Sequence, residues 1–180
     1  MPRLIAFLRA INVGGHTVTM ERLRKEFAGL GLTGVETFIA SGNVIFTSRA
    51  GNPAAIERKI EARLHQALGF EVATFVRTDA EVAAVAAYPA FKDAQIKGAG
   101  AFCVGFLDQP LDAAATRALM AFKTEIDDFH TSGREVYWLC KTKQSDSTFS
   151  NAALEKKLKI RSTFRGINTI VRLAAKHGPS

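Results

Sequence analysis

The chain has 180 residues, 47% hydrophobic and 23% charged. That is enough apolar matter for one sizeable core or two small ones sharing an interface, and too much for wholesale disorder. No run approaches eighteen apolar residues, which excludes a membrane-spanning helix. The formal charge of +7 is uneven: residues 1–140 hold 15 Lys or Arg against 15 Asp or Glu, and residues 141–180 hold 9 against 2. The whole excess therefore lies near the C-terminus, where it offers a surface to phosphates, nucleic acid or acidic partners.

Leu4 to Ile11 reads as a first strand, largely apolar on both faces, rather than a secretory leader. After the loop Asn12-Val13-Gly14-Gly15-His16, Thr19 is placed to cap a helix whose apolar residues Met20, Leu23, Phe27 and Leu30 recur at helical spacing, with Gly31 as its stop. Val35–Ala40 and Val44–Thr47 pair as strands about Ser41-Gly42-Asn43. Asn52 and Pro53 open a second helix with the stripe Ile56, Ile60, Leu64 and Leu68, ended by Gly69. Phe70–Arg77 is the fourth strand. The order is βαββαβ, a split βαβ arrangement in two layers.

The second half repeats the order. Asp79–Ala87 is a short helix, and Phe91–Gly100 reads as a loop. Ala101–Leu107 is a strand with Phe102, Val104 and Phe106 on one face. Asp112 caps a helix over Ala113–Phe122, and Glu125–His130 and Arg134–Cys140 pair about Thr131-Ser132-Gly133. A polar loop from Lys141 leads to a helix ending near Leu158, then a short closing strand or turn over Ile160–Phe164. A last helix follows over Arg165–Lys176, with Ile167, Ile170, Val171 and Ala174 inward. Phe38-x-x-Ser41-Gly42 and Phe129-x-x-Ser132-Gly133 lie 91 residues apart, an echo consistent with one half built twice. The expected division is 1–78 and 79–180, the second subdomain carrying the extra terminal helix and the two packed together rather than tethered.

Few residues advertise chemistry. Cys103 and Cys140 sit in apolar runs and read as buried free thiols, suited to a reducing, cytoplasmic setting. Gly14-Gly15 lacks the third glycine of a dinucleotide fingerprint, and Lys141–Ser145 lacks the glycines of a phosphate loop. His16, His65, His130 and His177 have no metal-ligand spacing, so no metal and no cofactor is expected. There is no Gly-x-Ser-x-Gly elbow. Asp127 and Asp128 are neighbours on a strand and point to opposite faces, poor partners for acid–base work.

Arg9 and Asn12 close the first strand, and Gly14-Gly15 can turn backbone N–H groups toward an anion. Ser41 and Asn43 lie in the hairpin turn, where a side-chain cap of the backbone is the favoured role. The end of the first strand and this turn are expected at opposite ends of the sheet, as two sites rather than one. For nucleic acid, Lys156, Lys157, Lys159, Arg161, Arg165, Arg172 and Lys176 offer phosphate contacts, and Phe46, Phe102, Tyr137 and Trp138 are stacking candidates by type.

Two blocks, Leu8-Arg9-Ala10-Ile11-Asn12-Val13-Gly14-Gly15 and Thr37-Phe38-Ile39-Ala40-Ser41-Gly42-Asn43-Val44-Ile45-Phe46, together with Leu154–Leu158 and Thr163-Phe164-Arg165, make the chain resemble the DUF1697 proteins, a bacterial family of unknown function. The resemblance covers nearly the whole chain. It implies an α+β fold of two ferredoxin-like subdomains and adds no catalytic residue. The family's C-terminal Arg-Asn-Trp-Asn-Thr run is here Arg165-Gly166-Ile167-Asn168-Thr169, and its Gly-rich loop is here the glycine-free Lys141–Ser147.

The expectation is thus a small protein binding an anionic ligand at the subdomain interface through Arg9, Asn12, Gly14, Gly15, Ser41, Asn43, Arg165 and Asn168. A nucleic-acid module acting through the basic C-terminal segment, an enzyme of unassigned class and a partner-binding protein are the alternatives.

Overall fold

The computed structural model describes residues 3–9, 11, 17–39, 42–49 and 51–179. The chain divides into two compact units, Met1–Ala86 with Val171–Ser180, and Ala87–Ile170. Each holds a four-stranded antiparallel sheet flanked by helices, giving a two-unit α+β sandwich. Among the described residues no helix is long and apolar enough to cross a membrane.

The first unit runs β1 (Arg3–Leu8), α1 (Met20–Ala28), β2 (Thr33–Thr37), β3 (Asn43–Thr47), α2 (Pro53–Leu68), β4 (Thr74–Thr78) and α3 (Asp79–Ala87), with strand order β2-β3-β1-β4. The helices start where local chemistry starts them. Thr19 Oγ1 accepts from Arg22 N at 3.1 Å, and Asn52 Oδ1 accepts from Ala54 N at 3.0 Å with Pro53 at the first helical position, so otherwise orphaned N–H groups are bonded. Leu23 and Phe27 from α1 and Ile56, Ile60 and Leu64 from α2 pack on Leu4, Ala6, Leu8, Val44, Phe46 and Val76. These strand residues alternate by two, so one face of the sheet carries the core. Glu26 reaches this packing from α1 and is held by Arg22 Nε at 2.8 Å and Arg63 Nε at 2.6 Å. The hydrogen bond from Arg63, ahead of the opposing effect of burial, holds its carboxyl below the ordinary value.

The outer edge of β4 is closed by carboxylates. Thr74 N donates to Glu61 Oε1 at 3.1 Å, Val76 N to Glu57 Oε1 at 2.9 Å and Thr78 N to Glu81 Oε2 at 2.8 Å. A free strand edge is a template for pairing with another chain, and here its donors are spent. The signal in the sequence is the i,i+4 pair Glu57 and Glu61, each directly following a buried residue of the α2 stripe, Ile56 and Ile60.

The second unit runs α4 (Asp93–Lys97), β5 (Ala101–Leu107), α5 (Ala113–Met120), β6 (Asp127–Ser132), β7 (Glu135–Cys140), a 3-10 turn (Gln144–Asp146), α6 (Asn151–Leu158), β8 (Ser162–Gly166) and the start of α7 (Ile167–His177). Its strand order, β6-β7-β5-β8, repeats that of the first unit. Phe149 plugs the core, its ring centroid 4.7 Å from Phe129, 4.8 Å from Trp138 and 5.2 Å from Phe122. The edge strand β8 is again covered from the preceding helix: Ser162 N donates to Glu155 Oε2 at 3.0 Å, Asn151 Nδ2 donates to Ser162 O at 2.9 Å, and Ser162 Oγ bonds Asn151 Oδ1.

Several expectations shift. β1 ends at Leu8, and one further bond in the same register, Arg9 N to Ala73 O at 2.9 Å, continues the pairing past it. β2 stops at Thr37, and Ile39 takes a left-handed backbone (φ 57°). β4 starts at Thr74 rather than Phe70. Asp93–Lys97 is helical where a loop was expected. Ile160–Phe164 resolves to the strand Ser162–Gly166, and α7 starts at Ile167. Val171, expected inward, is 46% exposed, while Leu173 is buried. The echo holds for elements, not for side chains. Phe129 is a core residue inside β6; Phe38 lies beyond the end of β2 and meets Arg172, Lys176 and His177. The reason is turn length: Gly133 and Arg134 alone join β6 to β7, whereas residues 38–42 join β2 to β3.

His177, on the part of α7 belonging to the first unit, is buried, and its Nε2 has no hydrogen-bond partner among the described residues. Its Nε2 lies 3.6 Å from Glu36 Oε2 on β2. Burial pushes the imidazole below its ordinary range, Glu36 raises it, and Arg3 on β1 and Lys176 on α7 lower it. The folded state thus favours neutral His177. Below the ordinary histidine value of 6.5 the unfolded chain takes up a proton that the folded chain resists, so stability is lost as pH falls through 6.5 toward the depressed folded value. Urea midpoints at pH 5, 6 and 7 will show this decline in the wild type and a shallower one in His177→Gln; equal slopes would exclude His177 as its source.

Candidate functional site

The sheet register settles the geometry around the first strand. β1 and β3 are antiparallel, with Phe7 opposite Asn43, so the end of β1 meets the start of β3. The expectation of two sites at opposite ends is therefore corrected: Leu8 N donates to Gly42 O at 2.9 Å, and Arg9 N to Ala73 O at 2.9 Å. The described flanks of the two sequence blocks come together at one end of one sheet. Gly42 has φ +80°, and a Cβ there would lie 2.9 Å from Ile11 Cγ2 and 3.1 Å from Leu8 Cβ. Only glycine meets both demands, the left-handed backbone and the close approach of the two blocks. Half-buried Arg9 brings a cation to this end.

Asn43 is fully buried, and its Nδ2 donates to Phe38 O at 2.9 Å. It caps its own hairpin, the role expected of a turn side chain. Asn12, Gly14, Gly15 and Ser41 lie outside the described residues.

Arg165 sits in the second unit on β8, opposite Val104. Its Nη1 donates to Thr163 Oγ1 and Phe164 O, both at 2.9 Å. Burial pushes the guanidinium down to about 10, which leaves it charged at neutral pH. Arg77 is its counterpart on β4: fully buried, with Nη1 donating to the carbonyl of the preceding residue, Val76, at 3.1 Å. Sequence reasoning passed over Arg77. Its signal was a lone arginine in an apolar strand, at the end of the fourth strand in each half.

Asn168 lines a cavity of about 440 Å³ in the second unit, with Ile96, Ala99 to Cys103, Gln144, Gly166 and Ile167. The two segments at which the chain departs from the family pattern both contribute to it, Gln144 from one and Gly166, Ile167 and Asn168 from the other. Cys103 Sγ accepts from Gln144 Nε2 at 2.9 Å. Cys103 and Cys140 are both free and buried. Burial first, and Cys140 second, push the Cys103 thiol up to about 11, so it is protonated at neutral pH and a poor nucleophile.

The basic C-terminal residues do not act alike. Arg161 is engaged by Asp108 through Nε at 3.1 Å and Nη2 at 3.3 Å, Arg165 is buried, and Lys156, Lys157 and Lys159 are exposed. Of the aromatic candidates, Phe46 and Trp138 face the helix-covered cores. Phe102 and Tyr137 occupy the other face of their sheet, where Tyr88 stacks on Tyr137 at 5.1 Å and its hydroxyl bonds His130 Nε2 at 2.8 Å. Asp127 is buried on the core side, and Asp128 pairs with Lys123 at 3.4 Å. Among the described residues no group of three or more His, Cys, Asp or Glu side chains is placed to hold a metal ion.

No curated protein matches the chain. Among solved structures it is similar to the conserved bacterial protein SP0830 from Streptococcus pneumoniae, at 23% identity over 97% of each chain with a TM-score of 0.72; at that identity the likeness speaks for the fold alone. The family model for proteins of unknown function designated DUF1697 matches residues 1–137, and the chain belongs to that family.

Proposed function

We propose that the protein binds a small anionic ligand at the end of the first unit's sheet, where β1 leaves toward α1, and that each unit is ferredoxin-like in topology. The observation that supports the ligand reading is the meeting of Leu8, Arg9 and Ile11 with Gly42 at one sheet end. It puts Arg9 at that sheet end, and Arg suits carboxylate and phosphate through paired N–H donors. The β2-β3-β1-β4 and β6-β7-β5-β8 orders, each with two crossing helices, support the topology. Phosphate is the simplest probe. Thermal unfolding in phosphate, against chloride of equal ionic strength, is expected to show a raised midpoint in the wild type. A ligand at a hundredfold excess over its Kd adds about 2.7 kcal/mol. Arg9→Gln is expected to lose most of that gain; an equal gain in both proteins sinks the assignment to Arg9.

A nucleic-acid role through the C-terminal basic segment draws weaker support, because Arg161 is engaged by Asp108 and Arg165 is buried.

A further inference from the structure

We propose that the cavity at the start of β5 binds an uncharged heterocycle with adjacent hydrogen-bond donor and acceptor groups, of the nucleobase type. The cavity holds about 440 Å³, within the range of roughly 300–1,000 Å³ for small-molecule sites. Ile96, Ala99, Ala101 and Ile167 supply apolar parts of its lining. No lysine, arginine, aspartate or glutamate lines it. An ion there would gain no counter-charge from the described lining residues, so an uncharged ligand is the better match. The Cys103 thiol is neutral as well, so the cavity carries no charge of its own.

What remains for recognition is a pair of carboxamides, Gln144 and Asn168. Each offers two N–H donors and a carbonyl acceptor side by side. That pattern complements an amide or lactam edge. Gln144 at present donates its amide to Cys103 Sγ at 2.9 Å. Sulfur is a weak acceptor, so exchange of that bond for a ligand oxygen favours binding. Gly166 completes the wall, and a Cβ added there meets nothing within 4 Å, so the position opens on space rather than on packed side chains.

The test uses the full chain and two probes, uracil and adenine, with benzoate as a charged flat control, each followed by ligand-detected NMR. At least one base is expected to bind with a Kd near or below about 1 mM, and benzoate is expected to bind more weakly. Gly166→Val fills the cavity and Gln144→Ala, at an exposed position, removes an edge contact; each is expected to weaken the base about tenfold. Arg9→Gln should leave base binding unchanged, which separates this site from the phosphate response. A short oligouridylate distinguishes the source: affinity well above that of uracil assigns a base within a strand, and equal or lower affinity assigns a free heterocycle. Failure of both bases to bind, tighter binding of benzoate, or unchanged affinity in folded Gln144→Ala would overturn the proposal.

Discussion

Asp127→Ala will lower the unfolding free energy by about 3–5 kcal/mol, the range for stripping a buried charge-assisted network. Asp127 is 2% exposed and binds three separate pieces of chain. Its Oδ1 accepts from Trp138 Nε1 at 2.9 Å and from Ser147 Oγ at 2.8 Å, and its Oδ2 accepts from Thr124 Oγ1 at 2.8 Å. Alanine leaves the indole N–H buried without an acceptor, and an unsatisfied buried donor costs more than the bond was worth. It also releases Ser147, which holds Phe149 N at 3.0 Å, and Phe149 is the plug of the second unit's core. Asp127→Asn should cost far less, about 1 kcal/mol. Its carbonyl can keep both the indole and the Ser147 hydroxyl, and the Thr124 hydroxyl can rotate to accept from its amide. Urea unfolding followed by the fluorescence of Trp138, the only tryptophan, measures both. An Ala variant within 1 kcal/mol of the Asn variant would show that the network carries no special weight.

Asp127 also marks where sequence reading runs out. Its neighbour relation to Asp128 and their opposite faces were legible, because alternation along a strand is local. Its partners Trp138 and Ser147 were not, since they lie 11 and 20 positions away. The same division holds elsewhere. Thr19, Asn52 and Asp112 announce their helices because a cap bonds two or three residues ahead. β5 was legible to the residue because apolar side chains line both of its faces. α4 was missed: five residues without a buried side chain leave no periodicity to read. Val171 was assigned inward by type, yet a helix that packs along one stripe exposes the apolar residues off it.

The candidate site fared unevenly for a related reason. The two blocks around Arg9 and Asn43 were visible as unusual stretches. Their union was not, because it depends on β1 and β3 running antiparallel and side by side, a fact of pairing rather than of either stretch. The cavity beside Gln144 and Asn168 was beyond reach altogether. It is built from four places in the chain, and small residues such as Gly100, Ala101 and Gly166 mark it only by leaving room.

Gly100→Ala tests that room directly and should cost about 2–3 kcal/mol, the size of an overpacking strain with weakened backbone bonds. Gly100 N donates to Cys140 O at 2.9 Å and to Lys141 O at 3.1 Å, where the entry to β5 crosses the exit of β7. A Cβ would stand 2.1 Å from Thr142 O and 2.5 Å from its carbonyl carbon. Both obstacles are backbone, so no side chain can rotate away. Relief requires the two chain segments to part, and parting stretches the bonds that Gly100 makes. Gly98→Ala is the control two residues earlier. Its Cβ would find Ala94 O at 3.6 Å, an ordinary contact, on a right-handed backbone with φ −85° and ψ −2°. That change should stay within about 0.5 kcal/mol of wild type or stabilise slightly by restricting the unfolded chain. The pair also bears on the cavity. Displacing residues 140–142 moves the segment that carries Gln144, so Gly100→Ala should weaken base binding at temperatures where it is still fully folded, whereas Gly98→Ala should not. If the two alanine variants unfold at the same urea concentration, the close approach at Gly100 is not a constraint on this fold.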